Sequence, residues 1–114
     1  MAPIQRLSRR AEFLKVAAGR RKSVAAGLIL QAAPQPDGAG LRIGFTASRK
    51  VGNAVRRNRA RRRLRAAAAA VMPEHAAPGH DYVLIARAGT LTRAYGGLLD
   101  DLADGLRRLG VYRE

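Results

Sequence analysis

Residues 49–65, RKVGNAVRRNRARRRLR, concentrate side chains whose chemistry is the binding of phosphate. The segment holds nine of the chain's 22 Lys and Arg residues and no acid. Like charges one helical turn apart repel each other, so the folded monomer gains no stability from this arrangement. A polyanion would supply the counter-charge, because the planar guanidinium group binds phosphate through two hydrogen bonds. Asn58 adds a donor and an acceptor that can reach a base edge or a 2′-hydroxyl. The segment therefore predicts a nucleic-acid contact.

The net charge of +14 is divided unevenly along the chain. Residues 1–65 carry 17 Lys and Arg against two acids, a net +15, and residues 66–114 carry five against six, a net −1. GC-rich codon usage, typical of some bacteria, would explain why Arg outnumbers Lys 19 to 3, but it does not explain the asymmetry. One electropositive surface that faces phosphates does. A solvated charged face is a weaker alternative, because such helices usually pair opposite charges one turn apart and this segment has no acid. An anionic membrane is also weaker, because the segment lacks the apolar face of a membrane anchor.

The sequence offers few groups for chemistry of its own. Hydrolysis of a phosphodiester by a protein needs clustered carboxylates for metal ions, or histidines as acid and base. The basic half has only Glu12 and Asp37, while His75 and His80 lie in a connection without nearby Cys or HExxH spacing. Cysteine is absent, which excludes disulfides and thiolate zinc sites. We expect no catalytic and no metal-binding residue here, and we interpret three aspartates as a solvated helix face: Asp100, Asp101 and Asp104.

The first predicted helix begins at Ser8, a candidate N-cap, and ends at Gly19. Phe13 and Val16 share one face of it, where Phe13 either packs in the protein or is presented to a ligand. The expected buried stripe is formed by Leu7, Ala11, Leu14 and Ala18.

The other elements complete one domain, residues 1–114. Residues 27–33 and 41–48 are predicted strands, and the turn-rich segment 34–40 between them predicts a hairpin. Asn53 suits the N-cap of the basic helix, which we expect Pro73 to end. A strand over 81–86 and a helix over 94–109 follow, so the order is α-β-β-α-β-α, an α/β sandwich. The expected buried positions of the two long helices are Ala60, Leu64, Ala67, Ala68 and Val71, then Tyr95, Leu98, Leu99, Leu102, Leu106 and Leu109.

At SRKVGNAVRRNRARRRLR the chain resembles the bacterial ribonuclease P protein subunit. The shared motif is a K-x-G-N-A-V segment, here residues 50–55, that runs into an R-N-R core at residues 57–59. The stretches RLSRRAEFLKVAAGRR, LRIGFTASRK and DYVLIARAG are similar to the family's first helix, the strand before its basic helix and its last strand. The resemblance covers residues 5–110.

The resemblance implies an α-β-β-β-α-β-α fold of the α+β or α/β sandwich class with a small four-stranded sheet. It also implies a left-handed crossover through the basic helix, against the right-handed rule. The chain would be one subunit of an endoribonuclease, binding a catalytic RNA that removes the 5′ leader of precursor tRNA, and it would be inactive alone. Magnesium would be held mainly by RNA and not tightly by the protein. We expect a 1:1 complex with the catalytic RNA in the cytoplasm, without a membrane, because the chain has neither a secretory signal nor an apolar span.

The resemblance also assigns residues. Six motif positions match the family's RNA-binding segment, and three neighbouring arginines complete the expected contact with the catalytic RNA: Lys50, Asn53, Arg57, Asn58, Arg59 and Arg62, with Arg56, Arg61 and Arg65. The expected leader-binding residues, in a cleft between the first helix and the sheet, are Phe13, Ala17, Gln31, Arg42 and Ser48. Ala17 and Gln31 stand where the family often has aromatic residues, so we expect weaker stacking and a larger share for arginine. Arg63 replaces a typically apolar residue.

Two other functions compete with this assignment, and only the first fits the composition. A structural ribosomal or general RNA-binding protein, without a role in tRNA processing, would have the same charge, and only the ordered motifs argue against it. A protein-only nuclease would need the carboxylate cluster that the sequence lacks.

Overall fold

The computed structural model describes residues 4–35, 38 and 40–114, so three residues of the expected turn, 36, 37 and 39, lie outside the described part. The structure confirms the two long C-terminal helices and the strand between them. The elements are β1 (Ile4–Arg6), α1 (Arg10–Ala18), β2 (Lys22–Val24), β3 (Leu28–Pro34), β4 (Leu41–Thr46), a 3₁₀ turn (Arg49–Val51), α2 (Ala54–His75), β5 (His80–Ala86), α3 (Ala88–Thr92) and α4 (Tyr95–Arg108).

The described strands form a five-stranded sheet in the order β1-β4-β5-β3-β2. The expected hairpin of β3 with β4 is wrong, because β5 lies between them, antiparallel to β3 and parallel to β4. A strand with neighbours on both sides and helices on both faces tends to be a continuous apolar run, and β5 is one from Tyr82 to Ala86, after His80 and Asp81. The parallel β4–α2–β5 unit is the crossover that the resemblance implies, and its left-handed sense stays a prediction. The sheet has five strands, one more than the resemblance implies. β1 and β2 have three residues each, which is too short for an alternating pattern to predict them.

Helices cover both faces of the sheet. Side chains that alternate along β5 separate two cores, with Tyr82 and Leu84 packed against α2 and α4, and Val83 packed against α1. The expected buried positions of α2 are all confirmed: Ala60, Leu64, Ala67, Ala68 and Val71. Within the described residues, no helix has both the length and the apolar content to cross a bilayer.

The expected stripe of the first helix is wrong. Leu14 is 55% exposed and Val16 only 1%, so α1 buries the face that carries Phe13 and Val16. Leu7 is buried, but it precedes the helix, and the helical spacing that linked it to Ala11, Leu14 and Ala18 therefore does not apply.

The ends of α2 and α4 differ in detail from the expectations. Helix α2 continues past Pro73 to His75, and the N–H of Ala76 still bonds to the carbonyl of Met72. In α4 the expected core residues Leu98, Leu102 and Leu106 are fully buried, whereas Tyr95, in the first turn, is 46% exposed and donates its hydroxyl to the carbonyl of Ala66 on α2.

The expectation of a solvated aspartate face on α4 is wrong at one position. Asp101 is 8% exposed and accepts a hydrogen bond from the backbone N–H of Gly27.

Candidate RNA-binding surface

The start of α2 is fixed by local caps. Gly52 has φ of 142°, a conformation that favours glycine, and it turns the chain from the 3₁₀ turn into the helix. The Asn53 side chain accepts a hydrogen bond from the N–H of Arg56 at 3.0 Å, so the expected N-cap is confirmed. Ser48 likewise accepts from the N–H of Lys50 at 3.3 Å. The side chains of Asn53 and Ser48 thus position the basic segment.

The arginines of α2 divide by direction. Arg59 and Arg62 are exposed on the side away from the buried stripe, and within the described residues neither side chain makes a hydrogen bond or ion pair. Arg61 and Arg65, one turn apart, line a cleft between α1, the sheet and α2. Arg63 donates to the carbonyls of Leu91 and Arg93 and so holds the α3–α4 connection against α2. The cationic ridge of α2, Asn58, Arg59 and Arg62, is therefore open to a polyanion.

A cleft of about 760 Å³ lies between α1, the sheet and α2. Phe13 lines it, and its ring rests on Gly44, where a Cβ would lie 2.5 Å from the ring. Four arginines reach the cleft from β1, α1 and α2, so an apolar floor has a cationic rim. The lining residues are Arg6, Leu7, Ser8, Arg10, Phe13, Leu14, Ala17, Gln31, Phe45, Thr46, Arg61, Arg65, Val83 and Ile85.

The structure brings only part of the expected leader-binding set together. Phe13, Ala17 and Gln31 line the cleft, while Ser48 caps the 3₁₀ turn outside it. Arg42 does not line the cleft either, because its guanidinium binds Asp81 and Glu12.

Sequence reasoning missed several cleft residues. The spacing of Arg61 and Arg65, four apart, could have shown that they share a face, but not which element they meet. Arg6 and Arg10 carried no signal, because β1 was not predicted and α1 was assigned the wrong buried face.

Glu12, His75 and His80 each make contacts of their own, apart from one another. Backbone N–H groups of Arg9 and Ser8 donate to the Glu12 carboxylate and lower its pKa. His75 stacks on Tyr112 with ring centroids 4.9 Å apart, and His80 tilts against Tyr82. Among the described residues, no three His, Asp or Glu side chains are grouped so that they could hold a metal ion.

Comparisons with known proteins agree with this geometry. A family model described as Ribonuclease P matches residues 1–110. The chain is 56% identical to a ribonuclease P protein component of Paramagnetospirillum magneticum, covering 99% of this chain and 88% of that protein. It is 52% identical to one of Ruegeria pomeroyi, covering 90% and 84%. Two structures of RNase P proteins share the fold. The protein from Staphylococcus aureus has a TM-score of 0.78 and 21% identity, covering 95% of this chain and 97% of its own. The protein from Thermotoga maritima has a TM-score of 0.72 and 22% identity, covering 88% of this chain and 93% of its own.

Proposed function

The chain belongs to the ribonuclease P protein family, and we propose that within the holoenzyme it binds the catalytic RNA along the ridge of α2 and the 5′ leader of precursor tRNA in the cleft. It is a protein subunit of ribonuclease P and acts in tRNA processing, which sets aside the alternative of a general RNA-binding protein. The observation that supports the division of labour is the cleft itself, with a stackable ring on its floor and arginines on its rim, beside the ridge.

Arg59 and Arg62 supply the charge of the ridge, and neither side chain has a hydrogen bond or ion pair within the described residues, while Asn58 accepts a hydrogen bond from Arg61. The 22-residue helix that carries the ridge is about 33 Å long at 1.5 Å per residue, enough to pass several phosphates. The arginines on the ridge are already solvent-facing, so an RNA phosphate replaces only water. If the whole basic segment contacts about five to eight phosphates, log K against log[salt] has a slope of about −4 to −7.

The cleft suits an unpaired strand better than a duplex. An aromatic ring offers a base a stacking surface, and stacking on one aromatic side chain contributes about 1–3 kcal/mol per base. The arginines on two sides of the cleft then neutralise the phosphates that flank the stacked base. Because Ala17 and Gln31 add no second ring, these cations carry more of the affinity.

The described residues do not fit a magnesium site beside the cleft. Two carboxylates that flank lining residues in the sequence, Glu12 before Phe13 and Asp81 on β5 with Val83, are both bound to Arg42. We therefore assign Mg²⁺ and the catalytic groups to the RNA, with one protein per RNA. In this proposal the protein neutralises the phosphate repulsion between two RNAs and holds the leader.

A reconstitution experiment tests the proposal. The purified chain alone, the RNA subunit alone and the two together are each incubated with precursor tRNA over a range of Mg²⁺ concentrations. We expect cleavage at the mature 5′ end only where the RNA is present, with the protein lowering the Mg²⁺ that is required. Correct cleavage by the chain free of RNA would refute the assignment of catalysis, and equal Mg²⁺ requirements would refute the charge-neutralising role.

Replacing Phe13 by alanine should weaken holoenzyme binding of leader-bearing precursor by about 5- to 150-fold, the loss of one stacked base, and leave mature tRNA unchanged. Kd values for the two RNAs measure the effect. Tyr95→Ala is the matched control, because Tyr95 is an exposed aromatic on α4 outside the cleft. Equal losses for precursor and mature tRNA would return Phe13 to a purely structural role.

A further inference from the structure

Arg42 links the sheet to the helix that walls the cleft. Its Nε and one terminal nitrogen donate to the two carboxylate oxygens of Asp81 at 2.8 and 2.7 Å. Its other terminal nitrogen donates to Glu12 at 3.1 Å. Asp81, on the central strand, is 5% exposed and also accepts from Gln35 at 3.0 Å. The guanidinium is therefore held in a fixed place by two acids from two different elements.

Glu12 extends this link into the first turn of α1. One of its carboxylate oxygens accepts from the backbone N–H groups of Ser8 and Arg9, at 3.1 and 2.9 Å, and the other accepts from Arg42. The same side chain thus caps α1 and ties it to β4. Phe13 is the next residue along the chain, so the tie acts next to the ring on the cleft floor.

The apolar contacts of α1 are few. The core beneath it contains Leu7, Val16 and Val83, with Phe13, Ala33 and Ile85 at its edge, whereas the core on the other face has twenty buried residues. A nine-residue helix on so small a core is weakly fixed by packing alone. The charge-assisted hydrogen bond from Arg42 to Glu12, aimed by the bidentate contact of Arg42 with Asp81, supplies the directional constraint that the core lacks.

We propose that Arg42 is a positioning residue for leader binding, which holds α1 through Glu12 at the spacing that the leader requires and does not itself bind phosphate. This inference rests on the proposed role of the cleft. It assigns the affinity to the placement of Phe13 and the arginines on the rim, and it makes a carboxylate, Glu12, necessary for binding a polyanion.

The sign of one substitution separates positioning from direct contact. Glu12→Gln keeps an oxygen for the helix cap but turns an amide donor toward Arg42, so the tie is lost. If Arg42 bound phosphate, removing its competing carboxylate would tighten leader binding and steepen the salt dependence. Under the positioning role, the preference of the holoenzyme for leader-bearing precursor over mature tRNA falls by about three- to tenfold, part of one stacking interaction.

Arg42→Lys gives a second, independent test. Lysine keeps the charge, and hence a phosphate contact, but loses the planar fork that grips Asp81 and Glu12 together. We expect it to lose leader preference as Glu12→Gln does, with the salt slope unchanged. Glu74→Gln, at an exposed carboxylate in the last turn of α2, is the control with the same change of charge.

All variants are measured as reconstituted holoenzyme, with affinity for the catalytic RNA as the check that each is folded. Leader preference lost in Glu12→Gln and Arg42→Lys but kept in Glu74→Gln supports the inference. If Phe13→Ala loses the preference while Glu12→Gln keeps or raises it, the positioning role is refuted and the cleft is not. If Phe13→Ala has no effect, the cleft proposal fails first and takes this inference with it.

Discussion

The double variant Arg59→Ala, Arg62→Ala should bind the catalytic RNA about 15- to 30-fold more weakly near 0.15 M salt, with a salt slope smaller by about 1.4 to 1.8, as expected for two lost phosphate contacts. Both side chains are exposed on the outer face of α2, and neither makes a side-chain hydrogen bond or ion pair with another described residue. Alanine keeps the helix and relieves like-charge repulsion, so unfolding cannot explain the loss. Titration of the RNA at several salt concentrations measures both quantities.

The control removes the same number of charges elsewhere. Lys22 lies on the edge strand β2 and Arg108 at the end of α4, both exposed and both away from the ridge. We expect the double variant Lys22→Ala, Arg108→Ala to leave the affinity and the slope nearly unchanged. Equal effects from the two pairs would mean that the RNA responds to net charge and not to the ridge.

Replacing Asp101 by alanine should lower the free energy of unfolding by about 2–4 kcal/mol, because the buried carboxylate has several partners that it leaves unpaired. It accepts from the N–H of Gly27 at 2.9 Å and from the Arg93 guanidinium through two hydrogen bonds of 3.1 Å. The hydrogen bonds that Arg93 donates to the Asp101 carboxylate raise the pKa of Arg93. Thr90 donates to the carbonyl of Gly27, so the substitution loosens the joint between β3, α3 and α4.

Asp104 is the matched comparison for Asp101. It lies three residues further along α4, pairs with Arg107 at 3.1 Å in an exposed ion pair, and should cost less than about 0.5 kcal/mol when replaced by alanine. Urea denaturation of the two variants measures the difference. Similar losses at both positions would contradict the buried network, and in neither variant should the affinity for RNA change while the protein is folded.

Local signals predicted the elements that carry them strongly. The apolar run of β5, the alternation of β4 and the cap at Asn53 each determine their own structure, and α2 buries its expected stripe. The order of the strands cannot be predicted from local signals, because it depends on which strand is most stable in the centre of the sheet, where helices cover both faces. The three-residue strands are set by backbone pairing with their neighbours and leave no period in the sequence.

The errors at the site have physical causes as well. In the sequence Asp101 cannot be told from Asp100 and Asp104, which are exposed, because its burial depends on the loop at Gly27, 74 residues away. Arg63 looks like another phosphate ligand, yet it binds carbonyls at the end of α3, a helix that was not predicted. Arg42 alternates with apolar residues as an exposed strand position would, and only the fold brings Glu12 and Asp81 to it. Residue type revealed the ligand class, and tertiary contact decided which side chains serve it.

Because β5 lies between β4 and β3, the native sheet cannot form until β5 has been synthesised. During translation, β3 and β4 leave the ribosome before the strand that joins them, and the 22-residue α2 is made in between. Until β5 emerges, the alanine-rich stripe of α2 has no completed sheet to cover, so the nascent ridge is a charged but unsupported helix. We expect native folding, and with it selective assembly with RNA, to follow the emergence of β5, limited by closure of the long β4-to-β5 connection and not by local helix formation.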